Sequence, residues 1–76
     1  MDKTIVDYIE INKGLIQNYF IMKNKRGFLC IYISANNPLE LRGDDLILEL
    51  AKKQIELNVI TPLEYKQVAQ VVGVLT

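Results

Sequence analysis

The sequence predicts a single α+β domain in which a three-stranded antiparallel β-meander precedes a C-terminal helical hairpin. Apolar residues before Pro38 are mostly β-branched or aromatic, as in strands, whereas those after it are mostly leucine among alanine and charged residues, as in helices. Turn sequences that end at Gly14 and Gly27 separate the segments of the first half. A chain of 76 residues forms one domain, which we divide into a β-rich half (1–37) and a helix-turn-helix half (44–75).

The first segment, Thr4–Ile11, has two interpretations. It contains four β-branched side chains whose χ1 angles are restricted in a helix, and these favour the first strand of the meander: Ile5, Val6, Ile9 and Ile11. The alternative is a helix from Asp2 to Asn12, because Ile5, Tyr8 and Ile9 have the i, i+3, i+4 spacing of a helix face. The strand completes the predicted meander, and the helix remains the alternative interpretation of this segment.

Two further strands are predicted over Leu15–Met22 and Phe28–Ser34, joined by the basic turn Lys23–Gly27. The second of these two strands is apolar at nearly every position. A strand that faced water on one side would alternate, so we expect both of its faces to be covered.

The second half of the chain predicts a helix from Asp45 to about Leu57. Asp44 or Asp45 is expected to be its N-cap, with a second carboxylate in the first turn where the helix dipole favours negative charge. Asn58 is expected to end the helix in a left-handed conformation. The apolar residues of this segment exceed one stripe, which predicts burial on more than one side.

A capping box marks the start of the last predicted helix, Pro62–Val72. Thr61 is the expected N-cap, Pro62 occupies the first helical position, and Glu64 follows three residues after the cap. Gly73 is expected to end the helix.

The last third of the chain, Leu46–Val72, resembles the short C-terminal domain (SHOCT) family. Residues 59–61 match the family's turn, which reads approximately Gly-Ile-Ile-Thr, and Asn58 stands where the family usually has glycine. The opening of the second helix also matches, through Glu64 and Tyr65, whereas the family's lysine-rich continuation is met only in part, by Lys66. The resemblance implies a small accessory helical pair that serves association and has no known catalytic activity.

The composition argues against an enzyme. The sequence has no histidine, the commonest general base and metal ligand, so Cys30 has no histidine partner for nucleophilic catalysis. A lone cysteine also forms neither an internal disulfide nor a cysteine zinc site. We therefore predict a non-enzymatic protein without a cofactor or metal.

Surplus apolar residues predict self-association, because a core of this size cannot bury them all. The expected self-association surface draws on the central apolar strand, the first helix of the second half and the C-terminus: Leu29, Ile31, Ile33, Leu48, Ile55, Val71, Val74 and Leu75. The simplest assembly is a two-fold homodimer. The leading hypothesis is a small protein-interaction and oligomerisation module whose partner is a second copy or another host or phage protein.

The alternative hypothesis is a small nucleic-acid-binding protein. Lys23, Lys25 and Arg26 lie in one predicted turn, and Lys13 joins them if the meander forms. The chain has nine basic and nine acidic residues, however, which gives no net attraction to a polyanion. Nucleic acid is therefore the less favoured partner.

The sequence also predicts a compartment and a source. The N-terminus lacks the pattern of a signal peptide, and the longest apolar run, Phe28–Ile33, is far shorter than the ~20 residues that cross a bilayer. We expect a cytoplasmic protein with no membrane partner. Isoleucine, lysine and asparagine make up 23 of the 76 residues, a bias typical of AT-rich genomes and consistent with a bacterial or prophage accessory protein.

Overall fold

The computed structural model describes residues 2–41 and 43–73. The elements follow in the order α1 (Lys3–Ile11), β1 (Ile16–Lys23), β2 (Leu29–Ala35), α2 (Asp44–Lys52), β3 (Ile55–Ile60) and α3 (Pro62–Val71), with a 3-10 turn at Pro38–Glu40 before α2. The strands form one mixed sheet in the order β1-β2-β3, in which β1 is antiparallel and β3 parallel to the central strand β2. The protein is therefore α+β, as predicted, and α2 is the crossover that the parallel pairing requires.

The first element is a helix, so the strand predicted there is wrong and the helical alternative is right. The Asp2 carboxylate caps α1 by accepting a hydrogen bond from the backbone N–H of Thr4 at 2.8 Å. Ile5 is fully buried, and the Tyr8 hydroxyl donates to the backbone carbonyl of Leu41 before α2. Helical spacing outweighs β-branching here because the apolar side of α1 packs on the core, and packing supplies most helical stability.

The predicted hairpin that follows is confirmed, each strand beginning and ending one residue later than expected. Asn24 organises its turn: the backbone carbonyl accepts from Gly27 N–H at 3.0 Å, and the side chain accepts from the N–H groups of Arg26 and Phe28. Gly27 has φ +86°, the left-handed region that glycine adopts without a steric cost.

The pairing register of β1 shifts near the beginning of the strand, between Ile16 and Asn18. Such a shift is a β-bulge, which bends the strand locally. Beside it, the Asn18 side chain accepts a hydrogen bond from the backbone N–H of Tyr19 at 3.0 Å.

A strand stands where the predicted helix was to continue to Leu57. α2 ends at Lys52, and Gln54 adopts the left-handed conformation, φ +62°, that was expected of Asn58. β3 then begins at Ile55 and pairs with β2. The predicted antiparallel meander and helical hairpin are therefore wrong, because the open edge of β2 and the alternating apolar residues of β3 outweigh the helix propensity of the segment.

The N-cap prediction for α2 is also wrong. Gly43 occupies the N-cap position without a side-chain hydrogen bond, and Asp44 and Asp45 both lie in the first turn, where the helix dipole favours them. The segment that resembles the SHOCT family contains a helix, a strand and a second helix rather than two helices alone.

The capping box of α3 is confirmed. The Thr61 hydroxyl accepts from Glu64 N–H at 3.2 Å, and the Glu64 carboxylate accepts from Thr61 N–H at 3.3 Å. At the other end, Gly73 has φ +81° directly after the last residues of the helix, as predicted.

Helices cover both faces of the sheet. On one face α1 and α2 pack over a buried cluster: Ile5, Ile31, Ile33, Ala35, Leu41, Leu50, Ile55 and Leu57. On the other face α3 contributes Tyr65 and Ala69, which pack against Phe20 of β1. Phe20 also stacks on Tyr32 of β2, with ring centroids 5.1 Å apart. The expectation that the apolar strand β2 is covered twice is confirmed.

Candidate interaction groove at the edge of β3

β3 is an edge strand: β2 pairs with one side, and no strand of the described ranges pairs with the other. The Leu29 N–H donates to the Gln54 carbonyl at 3.1 Å, where the parallel ladder begins. Backbone N–H and C=O groups of successive residues in a strand point to opposite sides. Because the Gln54 carbonyl points toward β2, the backbone groups of the even-numbered residues of β3 also point toward β2. The N–H and C=O groups of Ile55, Leu57 and Val59 therefore point outward.

A groove of about 590 Å³ follows this edge. β3 lines it along its whole length (55–60), Ile47 and Ala51 line it on the α2 side, and Arg26 and Phe28 line it from the β1–β2 turn. An exposed strand edge beside a helix is the kind of surface that binds an extended segment by strand addition.

Two polar residues of β3, Glu56 and Asn58, line the groove, and their side chains lie on the sheet face away from α2. The Glu56 carboxylate accepts a hydrogen bond from the Cys30 thiol, with Sγ and Oε2 3.2 Å apart. The Asn58 side-chain nitrogen, Nδ2, is buried and has no hydrogen-bond partner in the described part of the chain. A buried donor without an acceptor costs about 1–3 kcal/mol.

Cys30 acts here as a hydrogen-bond donor. Its side chain is 3% exposed, and burial raises the pKa of the thiol, as do the hydrogen bond to Glu56 and the negative charge of that carboxylate. The thiolate, which is the reactive form, is therefore disfavoured. The thiol instead orients one oxygen of Glu56 and leaves the other available.

The residues of the predicted self-association surface do not form one surface. Four of them lie in or against the core beneath α1 and α2: Leu29, Ile31, Ile33 and Ile55. Leu48 on α2 and Val71 at the end of α3 are exposed, by 63% and 87%. Val74 and Leu75 lie outside the described residues.

The basic residues also separate into two places. Lys23, Lys25 and Arg26 are exposed together around the β1–β2 turn, and Arg26 lines the groove. Lys13 lies before the opposite end of β1, and the eight residues of that strand separate it from the turn. It makes an exposed ion pair with Glu10, 3.1 Å long, because the first element is a helix rather than a neighbouring strand.

Sequence reasoning missed the groove because it missed β3. The available signal was the alternation of Ile55, Leu57 and Val59 with the polar residues Glu56 and Asn58, which is typical of a strand. Within residues 2–41 and 43–73, no three acidic or cysteine side chains converge as a metal site would require, and no helix is long and apolar enough to cross a membrane. The chain matches no protein-family model, no curated protein and no solved structure.

Proposed function

We propose that this protein is a small, non-enzymatic protein-interaction and oligomerisation module that binds an extended strand of its partner along β3. The observation that carries the proposal is the open edge of β3, where Ile55, Leu57 and Val59 direct their backbone groups into the groove. A partner strand would pair with those groups and extend the sheet.

The surroundings of the groove support the same function. Leu48 lies three residues before Ala51, a spacing that places both side chains on the same side of α2. Leu48 is largely exposed, and fully burying such a side chain contributes about 1.5–3 kcal/mol. A partner that covers the groove and this flank of α2 would gain that burial.

Proline at Val59 tests the proposal. The Val59 N–H points away from β2, so Val59→Pro removes a donor from the outer edge and keeps every hydrogen bond between β2 and β3. We expect the wild type to self-associate in sedimentation experiments from low micromolar to submillimolar concentration, or to select peptides from a random displayed library. Val59→Pro should abolish whichever binding is seen.

Lys25→Pro is the matched control. Lys25 is the second residue of the β-turn that closes between Asn24 and Gly27, a position where proline is favoured. This variant should bind as the wild type does. A wild type that stays monomeric and selects no peptide sensitive to Val59→Pro would contradict the proposed function.

The exposed cluster of Lys23, Lys25 and Arg26 supports a second candidate function, nucleic-acid binding at the β1–β2 turn. Fluorescence anisotropy with single- and double-stranded DNA and RNA at low salt tests it. Binding that weakens as salt rises and is lost when the three cations become alanine would support this function. Binding that is absent, or unchanged in the triple variant, would reject it.

A further inference from the structure

We propose that the occupant of the β3 groove is β3 of a second copy of the chain, antiparallel to the first and related to it by a two-fold axis at Leu57. This inference rests on the proposed function, because it names the partner of the same groove. The two three-stranded sheets then form one continuous six-stranded sheet.

Symmetry limits the registers that two copies of β3 can adopt. A two-fold axis perpendicular to the sheet keeps every side chain on its own face, and residues directly opposite each other in an antiparallel pair share a face. Odd-numbered residues of β3 therefore lie opposite odd-numbered ones, and the axis passes through a residue rather than between two.

The outward backbone groups select Leu57 as the centre. In this register Leu57 lies opposite its own copy and Ile55 lies opposite Val59 of the second copy, so every outward N–H and C=O of β3 has a partner. Centring on Asn58 would instead place Ile55 opposite Thr61. The Thr61 N–H already donates to Glu64 and its carbonyl already accepts from Tyr65, so that register leaves outward groups without partners.

The same register supplies the acceptor that Asn58 lacks. It places Asn58 opposite Glu56 of the second copy, at a non-hydrogen-bonded position where the side chains approach most closely. Glu56 Oε2 accepts from the Cys30 thiol, and Oε1 is left to accept across the interface from Asn58 Nδ2, once the Asn58 side chain turns this nitrogen from its buried position toward the second copy. Symmetry repeats the bond, so both buried amides are satisfied.

The charges and side-chain sizes fit this arrangement. The chain has a formal net charge of zero, so two copies do not repel each other as whole molecules. Each Glu56 lies opposite an amide rather than another carboxylate. The groove side of α2 carries the small residue Ala51, which lets the two α2 helices approach.

Disulfide cross-linking tests the register. Two variants are made in a Cys30→Ser background, one with Glu56→Cys and one with Asn58→Cys. Residues opposite each other at such a position have Cα atoms about 4.5 Å apart, within disulfide range, whereas each residue is about 7–8 Å from its own copy. Mixing the two variants under mild oxidation should give a covalent dimer, and neither variant alone should give one. Circular dichroism confirms that both are folded.

An exchange of donor and acceptor provides a second test that does not depend on oxidation. Asn58→Asp places two carboxylates opposite each other and should raise the dimer dissociation constant at neutral pH by about tenfold or more. The double variant Glu56→Gln/Asn58→Asp restores one donor and one acceptor, and should recover most of the affinity.

The outcomes separate this inference from the proposed function. The mixed cross-link together with the rescue supports the Leu57-centred dimer. Cross-linking of the Asn58→Cys variant alone, or no rescue, overturns it. A wild type that remains monomeric also overturns it, while peptide binding that is sensitive to Val59→Pro would still uphold the proposed function.

Discussion

Gln54 joins α2 to β3 through a single left-handed residue. Its N–H donates to the Ala51 carbonyl at 3.1 Å, which closes the end of α2, and its carbonyl accepts from Leu29 N–H, which begins the parallel ladder. Its φ of +62° is a conformation that costs a residue with a Cβ atom about 1–2 kcal/mol. The edge strand that forms the groove therefore starts from a strained residue.

Replacing Gln54 with glycine should relieve this strain. We expect Gln54→Gly to raise the free energy of unfolding by about 0.5–1 kcal/mol, since the larger entropy of glycine in the unfolded chain offsets part of the gain. Urea unfolding measures the change, and Gln54→Ala, which keeps the Cβ atom, is the control. A glycine variant no more stable than the alanine variant would show that Gln54 is not strained.

Asp2 gives the chain a predictable response to acid. Hydrogen bonds from the backbone and side chain of Thr4 lower the pKa of Asp2 below 3.8, and Lys53, whose Nζ is 3.6 Å from the carboxylate, acts in the same direction. Because the pKa is lower in the folded chain, Asp2 contributes stability above the unfolded pKa and loses it as the pH falls through the folded pKa.

The Asp2→Asn variant isolates this contribution, because asparagine caps a helix at every pH. Between neutral pH and about pH 2, we expect the wild type to lose more unfolding free energy than Asp2→Asn does. Urea unfolding at a series of pH values measures both. Parallel pH profiles for the two proteins would contradict the role assigned to this carboxylate.

At the scale of elements, α3 is the only helix on its face of the sheet within residues 2–41 and 43–73, and its start is fixed by Thr61 and Glu64. Thr61→Ala removes the side chain that accepts from Glu64 N–H and should cost about 1 kcal/mol of unfolding free energy. Thr61→Ser keeps a hydroxyl at the same position and should retain most of the stability. Equal losses in the two variants, measured by urea unfolding, would show that the cap is not the cause.

What the sequence predicts well is what short segments determine by themselves. The capping box at Thr61 and the glycine turn at Gly27 are local patterns, and both appear in the fold where they were expected. β3 depends on pairing with β2, in which Leu29 meets Ile55, 26 residues away, and no local pattern encodes that contact. Its start is also hidden, because Gln54 rather than glycine makes the turn.

The candidate site was harder to predict than the elements around it. Glu56 and Asn58 are ordinary polar residues in the sequence, and they gain significance only because β3 is an edge strand whose outer side pairs with no other described strand. The hypothesis of self-association came from the large number of apolar residues in the sequence. Four of the eight residues named for it lie in or against the core instead, because helices cover both faces of the sheet.

At the scale of the whole molecule, the proposed self-association would link stability to protein concentration. If folded chains dimerise and unfolded chains do not, the melting temperature rises with protein concentration. We expect this dependence for the wild type and for Lys25→Pro, and a constant melting temperature for Val59→Pro. Differential scanning calorimetry over about a hundredfold range of protein concentration measures this dependence. A wild-type melting temperature that does not move would count against a dimer.

The bulge at the start of β1 affects how large an assembly can form from a chain whose sheet has two edges. If both edges accepted strands equally, copies would add without limit and form fibres. The register shift between Ile16 and Asn18 bends the β1 edge, and the N–H of Tyr19 already donates a hydrogen bond to the Asn18 side chain. An incoming strand therefore meets an irregular edge at β1 and a regular one at β3. For the proposed dimer, growth would therefore stop after two copies, and the product would be a closed particle rather than a polymer.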